Sequence, residues 1–159
     1  MKNSFDFTII SMPQIDLAGV FVLTDMENSM ADCSALWEKD FMPKAMPLLK
    51  NAPAGAPTYG LSLVEDLQEG SFNYWACLPW TEEAPEGLTK TAIPAGSYVK
   101  CPAASLKEIG DVYQALFEYV QNNPDLDFNP GAPSIEEYPA EFPKPETLYI
   151  YMPVKSLNR

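Results

Sequence analysis

The side chains able to do chemistry in this chain are carboxylates, tyrosines, cysteines and lysines, because its 159 residues include no histidine. Without an imidazole there is no Ser-His-Asp or Cys-His nucleophile, no histidine base, and none of the usual zinc, copper or non-haem iron sites. Two strand-like segments set carboxylates and tyrosines in a defined pattern. In Ser134 to Tyr138, alternation points Glu136 and Tyr138 to one side and Glu137 to the other. In Thr147 to Val154, Tyr149 and Tyr151 share one face while Leu148, Ile150 and Met152 share the other. The aliphatic face should bury beneath a helix and leave the tyrosines to line a groove. A carboxylate among ring faces suits an organic cation: the rings attract it by about 0.5–2 kcal/mol and the carboxylate supplies the counter-charge. Buried without a ligand, that carboxylate is costly, so its proton affinity should rise. The plainer alternative is a solvated Glu136 beside ordinary amphipathic strand tyrosines.

The elements that must position these groups occur twice. Ala18-Gly19-Val20-Phe21-Val22 returns as Ala95-Gly96-Ser97-Tyr98-Val99, an offset of 77 from position 18 to position 95. At that offset Tyr59 falls on Glu136, Phe72 on Tyr149 and Tyr74 on Tyr151; one residue less places Trp37 on Tyr113 and Phe41 on Phe117. Two long repeats are too few for a solenoid, so they should pair about a pseudo-twofold axis with a ligand groove between them.

Phe7 to Asp25 is expected as a strand bent at Pro13 and Gly19. A helix follows, with Ser29 and Asp32 as a weak cap and Cys33, Leu36, Trp37 and Phe41 at helical spacing, failing near Pro43 or Pro47. A loop with Pro53, Gly55 and Pro57 leads to a hairpin of Thr58 to Glu65 and Ser71 to Pro79, turning at Gln68, Glu69 and Gly70. The second unit repeats this order. Its strand, Thr89 to Ala103, is broken by Pro94 and Gly96. Ser105 and Glu108 form a capping box, and Ile109, Val112, Tyr113, Leu116, Phe117 and Val120 make an apolar stripe ended by Asn122, Asn123 and Pro124. The result is a single α+β domain over 1–159: module one at about 5–80, an acidic linker at 81–88 and module two at about 89–155, with two main helices on a curved antiparallel sheet.

Composition narrows the partners. The net charge of −12 argues against nucleic acid, whose phosphates need clustered Lys and Arg, and favours cations; solubility alone is the bland explanation of the total. Met1 to Phe5 has no basic region leading into an apolar core, and no run approaches the ~20 apolar residues of a membrane span, so a cytoplasmic protein is expected. Cys33, Cys77 and Cys101 form no CxxC pair and are expected to be small buried hydrophobes. Asp125, Asp127, Asn129 and Glu136 match a calcium-loop spacing, but Pro130 stands where that loop needs glycine, so a surface turn over Asp125 to Gly131 is expected, with no metal and no cofactor.

Six segments in this order carry a family resemblance: Leu36-Trp37 with Phe41, Tyr59-Gly60, Phe72-Asn73-Tyr74, Ile93 through Tyr98, Ile135-Glu136-Glu137-Tyr138, and Ile150 through Lys155. Together they resemble the GyrI-like, or AraC-type effector-binding, superfamily over nearly the whole chain. The resemblance implies two strand-helix-strand-strand modules around a central groove that binds small lipophilic, often cationic molecules. In regulators such a module is joined to a helix-turn-helix region. Here Phe7 already belongs to the first strand and only four residues follow Lys155, so a stand-alone member without direct nucleic-acid contact is expected. Carried over by residue, Glu136 matches the acidic position of a Glu-x-Tyr motif, and Trp37, Tyr59, Tyr74 and Tyr98 match groove positions; Phe72, Tyr113, Tyr149 and Tyr151 complete the expected ligand-binding set. Tyr149 stands where members commonly place a second glutamate, a departure that argues against strong cation selectivity and leaves Glu136, or Glu137 on a slipped register, as the counter-charge. Two alternatives follow from the resemblance. One is hydrolysis of a reactive small molecule, with Glu136 as base and Tyr149 or Tyr151 as acid; the other is a gyrase-inhibitor-like role through the acidic surface.

Overall fold

In the computed structural model of the protein, residues 5–25, 27–49, 56–66, 70–140, 142, 144 and 146–156 are described. The expected loop residues Pro53 and Gly55 and turn residues Gln68 and Glu69 lie outside them. The long first strand divides at Pro13 into β1 (Thr8–Met12) and β2 (Ile15–Asp25), and its counterpart divides at Pro94 into β5 (Thr89–Ile93) and β6 (Gly96–Ala103). The first module continues with a helical rod, then β3 (Thr58–Asp66) and β4 (Ser71–Pro79). The second continues with α3 (Ile109–Gln121), a short β7 (Leu126–Phe128), β8 (Ser134–Tyr138) and β9 (Leu148–Ser156).

The sheet runs β1-β6-β9-β8-β3-β4-β2-β5, with β7 also on β9 and every described pair antiparallel. Exchanging the modules reverses this order onto itself, so a pseudo-twofold axis passes between β8 and β3. The modules also trade strands: β1 pairs with β6 and β5 with β2, in one register that lapses only around the two prolines, which have no N–H to give. Strand and sheet twist curl the whole, so Leu17, Tyr98 and Ile135, from widely separated strands, meet in one cluster on the inner face. No helix among the described residues is long and apolar enough to cross a membrane.

The helices cover the outer face. Val112, Leu116 and Val120 of α3 pack on Val99 and Cys101 of β6 and on Leu148, Ile150 and Met152 of β9, as the aliphatic alternation required. Phe117, expected in that stripe, is 48% exposed and lies edge-on to Phe128. Six apolar positions over three turns are more than one flat contact can cover. The first rod departs further from expectation. It is helical from α1 (Ser29–Ala35) through a π-helical segment (Leu36–Phe41) into α2 (Met42–Leu49), running past Pro43 and Pro47. Met42 donates its N–H to the carbonyl of Trp37, five residues back, so the widened turn comes where Pro43 has no N–H to contribute. Leu36 and Phe41 bury on Ala18, Val20 and Ala76.

Two further corrections concern the register of the repeat and an expected turn. Val22 pairs with Tyr74, whereas Val99, its repeat partner, pairs with Met152. Tyr74 therefore corresponds to Met152 and not Tyr151, and Phe72 to Ile150 and not Tyr149; the one-residue slip moves both tyrosines to the opposite face. The expected turn at Asp125 to Gly131 contains β7, which pairs with the end of β9.

Candidate functional site

Glu136 stands on the helix side of β8, beside the pseudo-twofold axis, opposite Gly60 of β3. It is 9% exposed. Tyr138, two residues on along the same face, donates its hydroxyl to Oε1 at 2.8 Å, and Tyr74 reaches across β3 from β4 to donate to the same oxygen at 3.0 Å. Tyr113 descends from α3 and donates to Oε2 at 3.3 Å. Trp37, from the π-helical segment, donates its indole N–H to the Tyr74 hydroxyl at 2.9 Å and lies edge-on to Tyr138, with ring centroids 5.4 Å apart. Both modules and both helical elements thus meet on one carboxylate. Among the described residues no buried side-chain nitrogen or oxygen lacks a partner.

Burial raises the Glu136 carboxyl above the usual carboxylate range, opposed by the hydrogen bonds from Tyr138, Tyr74 and Tyr113. The tyrosines respond in kind: Tyr74, Tyr113 and Tyr138 are pushed upward, first by burial and then by the neighbouring carboxylate. Cys33 on α1 is electrostatically coupled to the cluster; burial, then Glu136 and Asp32, push its thiol up to about 12, so it is no ready nucleophile.

The expected site residues divide between the two faces. Glu136, Trp37, Tyr74 and Tyr113 come together. Phe72 packs in the cluster beneath the first rod without a described contact to Glu136. Tyr59, Tyr98, Tyr149 and Tyr151 lie on the inner face, where Tyr151 donates its hydroxyl to Glu137 and Tyr98 bonds the Pro94 carbonyl at 2.9 Å. There Lys100 lies over the Tyr149 ring at 4.6 Å and the Tyr151 ring at 5.6 Å. Burial and then Glu137 push the Tyr59 hydroxyl up to about 12. Tyr138 and Gly60 also stand at Glu136, outside the expected set; the two-residue spacing from Glu136 is the sequence signal for Tyr138. A surface hollow of about 740 Å³ lies elsewhere, between Phe5, Phe7 and the outer side of α3, and contains none of the carboxylate cluster. Among the described residues no three Cys, Asp or Glu stand close enough to hold a metal ion.

The fold is of an α+β class in which two paired modules share one curled antiparallel sheet with helices on one face. A model of the GyrI-like small molecule binding domain matches residues 5–155, and the chain belongs to that family. Among curated proteins none matches the sequence. Solved structures share the fold. An integron cassette protein from the mobile metagenome of Vibrio cholerae is 22% identical, with a TM-score of 0.66 over 95% of this chain and 97% of that one. SAV2435, solved with tetraphenylphosphonium bound, is 14% identical with a TM-score of 0.71 over 94% of each chain. EcmrR, in a complex with DNA, is 14% identical with a TM-score of 0.68; the match covers 96% of this chain and 58% of EcmrR.

Proposed function

We propose that this domain takes up a small lipophilic organic cation at Glu136, with Trp37, Tyr74, Tyr113 and Tyr138 as the rings around it. The observation that carries the reading is a buried carboxylate whose described hydrogen-bond partners are three tyrosine hydroxyls, with no lysine or arginine among them. A cation at that place supplies the charge that burial leaves uncompensated, and the ring faces reward it without needing directional hydrogen bonds. Because the carboxylate is buried, a ligand reaching it must displace some of the side chains packed on it. The bulky aromatic cation bound to SAV2435 supports the reading as a precedent on this fold.

The test is thermal stabilisation by tetraphenylphosphonium compared with neutral triphenylphosphine oxide, in the native protein and in Glu136→Gln. The cation should stabilise the native protein, and the effect should disappear in the variant. Equal stabilisation of both proteins, or equal response to the neutral compound, would reduce the site to hydrophobic occupancy.

A further inference from the structure

Gly60 acts through the side chain it lacks. It faces Glu136 across the β3–β8 ladder, with Ala76 of β4 on its other edge. Its backbone is outside the left-handed region; among the described glycines, Gly70 and Gly87 occupy that region. The path of β3 therefore places no demand for glycine here, and glycine inside a strand is less stable than alanine. Space supplies the reason. A Cβ at position 60 would lie 2.4 Å from the Tyr74 hydroxyl oxygen, 2.9 Å from Oε1 of Glu136 and 3.0 Å from Cζ of Tyr74. β3 is paired on both edges and cannot retreat. At Gly19, by contrast, a Cβ would strike backbone, at 2.1 Å from the Ala76 oxygen, so that glycine serves strand packing.

We infer that Gly60 is a positioning residue of the site: its missing methyl lets the Tyr74 hydroxyl and the Glu136 carboxylate meet over β3. It thereby sets the chain of hydrogen bonds from Trp37 through Tyr74 to Glu136. The functional bearing of this inference rests on Glu136 as the ligand's counter-charge, whereas the geometry is independent of any ligand. An alanine at 60 suits the strand but displaces Tyr74, and the carboxylate loses a donor.

The experiment compares Gly60→Ala, Tyr74→Phe and the double variant by two readouts: the pH at which Glu136 ionises, followed by NMR of its side-chain carboxyl, and the affinity for tetraphenylphosphonium. Gly60→Ala should ionise at higher pH than the native protein and bind the cation about tenfold more weakly, the scale of one charge-assisted hydrogen bond. Adding Tyr74→Phe removes the nearest atom that the new methyl strikes and leaves the close approaches to Oε1 of Glu136 and Cζ of residue 74, so the double variant should lose less than the two single losses combined. A glycine needed only for folding would lower stability and leave the ionisation of Glu136 unmoved, which overturns the inference. So would losses in the double variant equal to the two single losses combined. If tetraphenylphosphonium fails to bind even the native protein, the cation reading falls while the ionisation comparison still decides the role of Gly60.

Discussion

Replacing Tyr138 by phenylalanine tests the electrostatics of the site most directly. The hydroxyl donates to Oε1 of Glu136 at 2.8 Å, the shortest of the three tyrosine contacts, while the ring lies edge-on to Trp37 and to Phe142 at centroid distances of 5.4 and 5.0 Å. Phenylalanine keeps both ring contacts and removes only the donor. A hydrogen bond to a charged group contributes about 1.5–3 kcal/mol, and each 1.4 kcal/mol is roughly a factor of ten. The variant should therefore shift the ionisation of Glu136 about ten- to a hundredfold toward the protonated form. The direction adds to that of burial, which already holds this carboxyl above its ordinary range. Tyr113→Phe, which removes the longer 3.3 Å contact, should shift it less. NMR of the glutamate side-chain carboxyls across a pH series reads both variants. An unchanged titration in Tyr138→Phe, or a larger effect from Tyr113→Phe, would refute the account of what holds the charge.

Further expectations concern pH, packing and thiols. Glu136's folded-state proton affinity exceeds its unfolded value, so native stability should fall as pH rises from the ordinary carboxylate range through the raised folded value; urea unfolding should show Glu136→Gln gaining on the native protein across that window and not below it. Affinity for tetraphenylphosphonium should climb through the same window, because binding needs the ionised form; isothermal titration at several pH values checks this. Leu116→Ala empties a fully buried position under α3 and should cost about 2–5 kcal/mol in denaturant unfolding. Burial pushes the thiols of Cys33 and Cys101 up to about 12 and about 11, and that of Cys77 up as well, so a disulfide reagent should label the folded protein slowly and the unfolded protein at once.

Much of the fold was legible because its signals are local. Alternation placed Leu148, Ile150 and Met152 under a helix, and helical spacing placed Tyr113 on α3, whence it reaches Glu136. What the sequence hid depends on register between distant strands. An offset of 77 preserves Val22 and Val99, but the ladders show one extra residue before Met152, and that single step carries Tyr149 and Tyr151 to the inner face with Glu137. Repeat similarity cannot reveal such a slip, because aromatic residues suit either face of a sheet. The helix passing Pro43 was illegible for a similar reason: a π-turn leaves no mark in apolar spacing, though Leu36 and Phe41, five apart and both buried, record it once the structure is known. The role of Gly60 depends on Tyr74, a neighbour on the adjacent strand that no local pattern connects to it.

The exchange of first strands between the modules has a consequence for how the chain holds together. Neither half owns a complete set of strands, since β1 lies on the second module's β6 and β5 lies on the first module's β2. Severing the backbone within 81–88 should therefore give two polypeptides that are each incomplete alone but reassociate when mixed. The carboxylate with its four aromatic neighbours, drawn from both pieces, would be rebuilt only in the reunited pair.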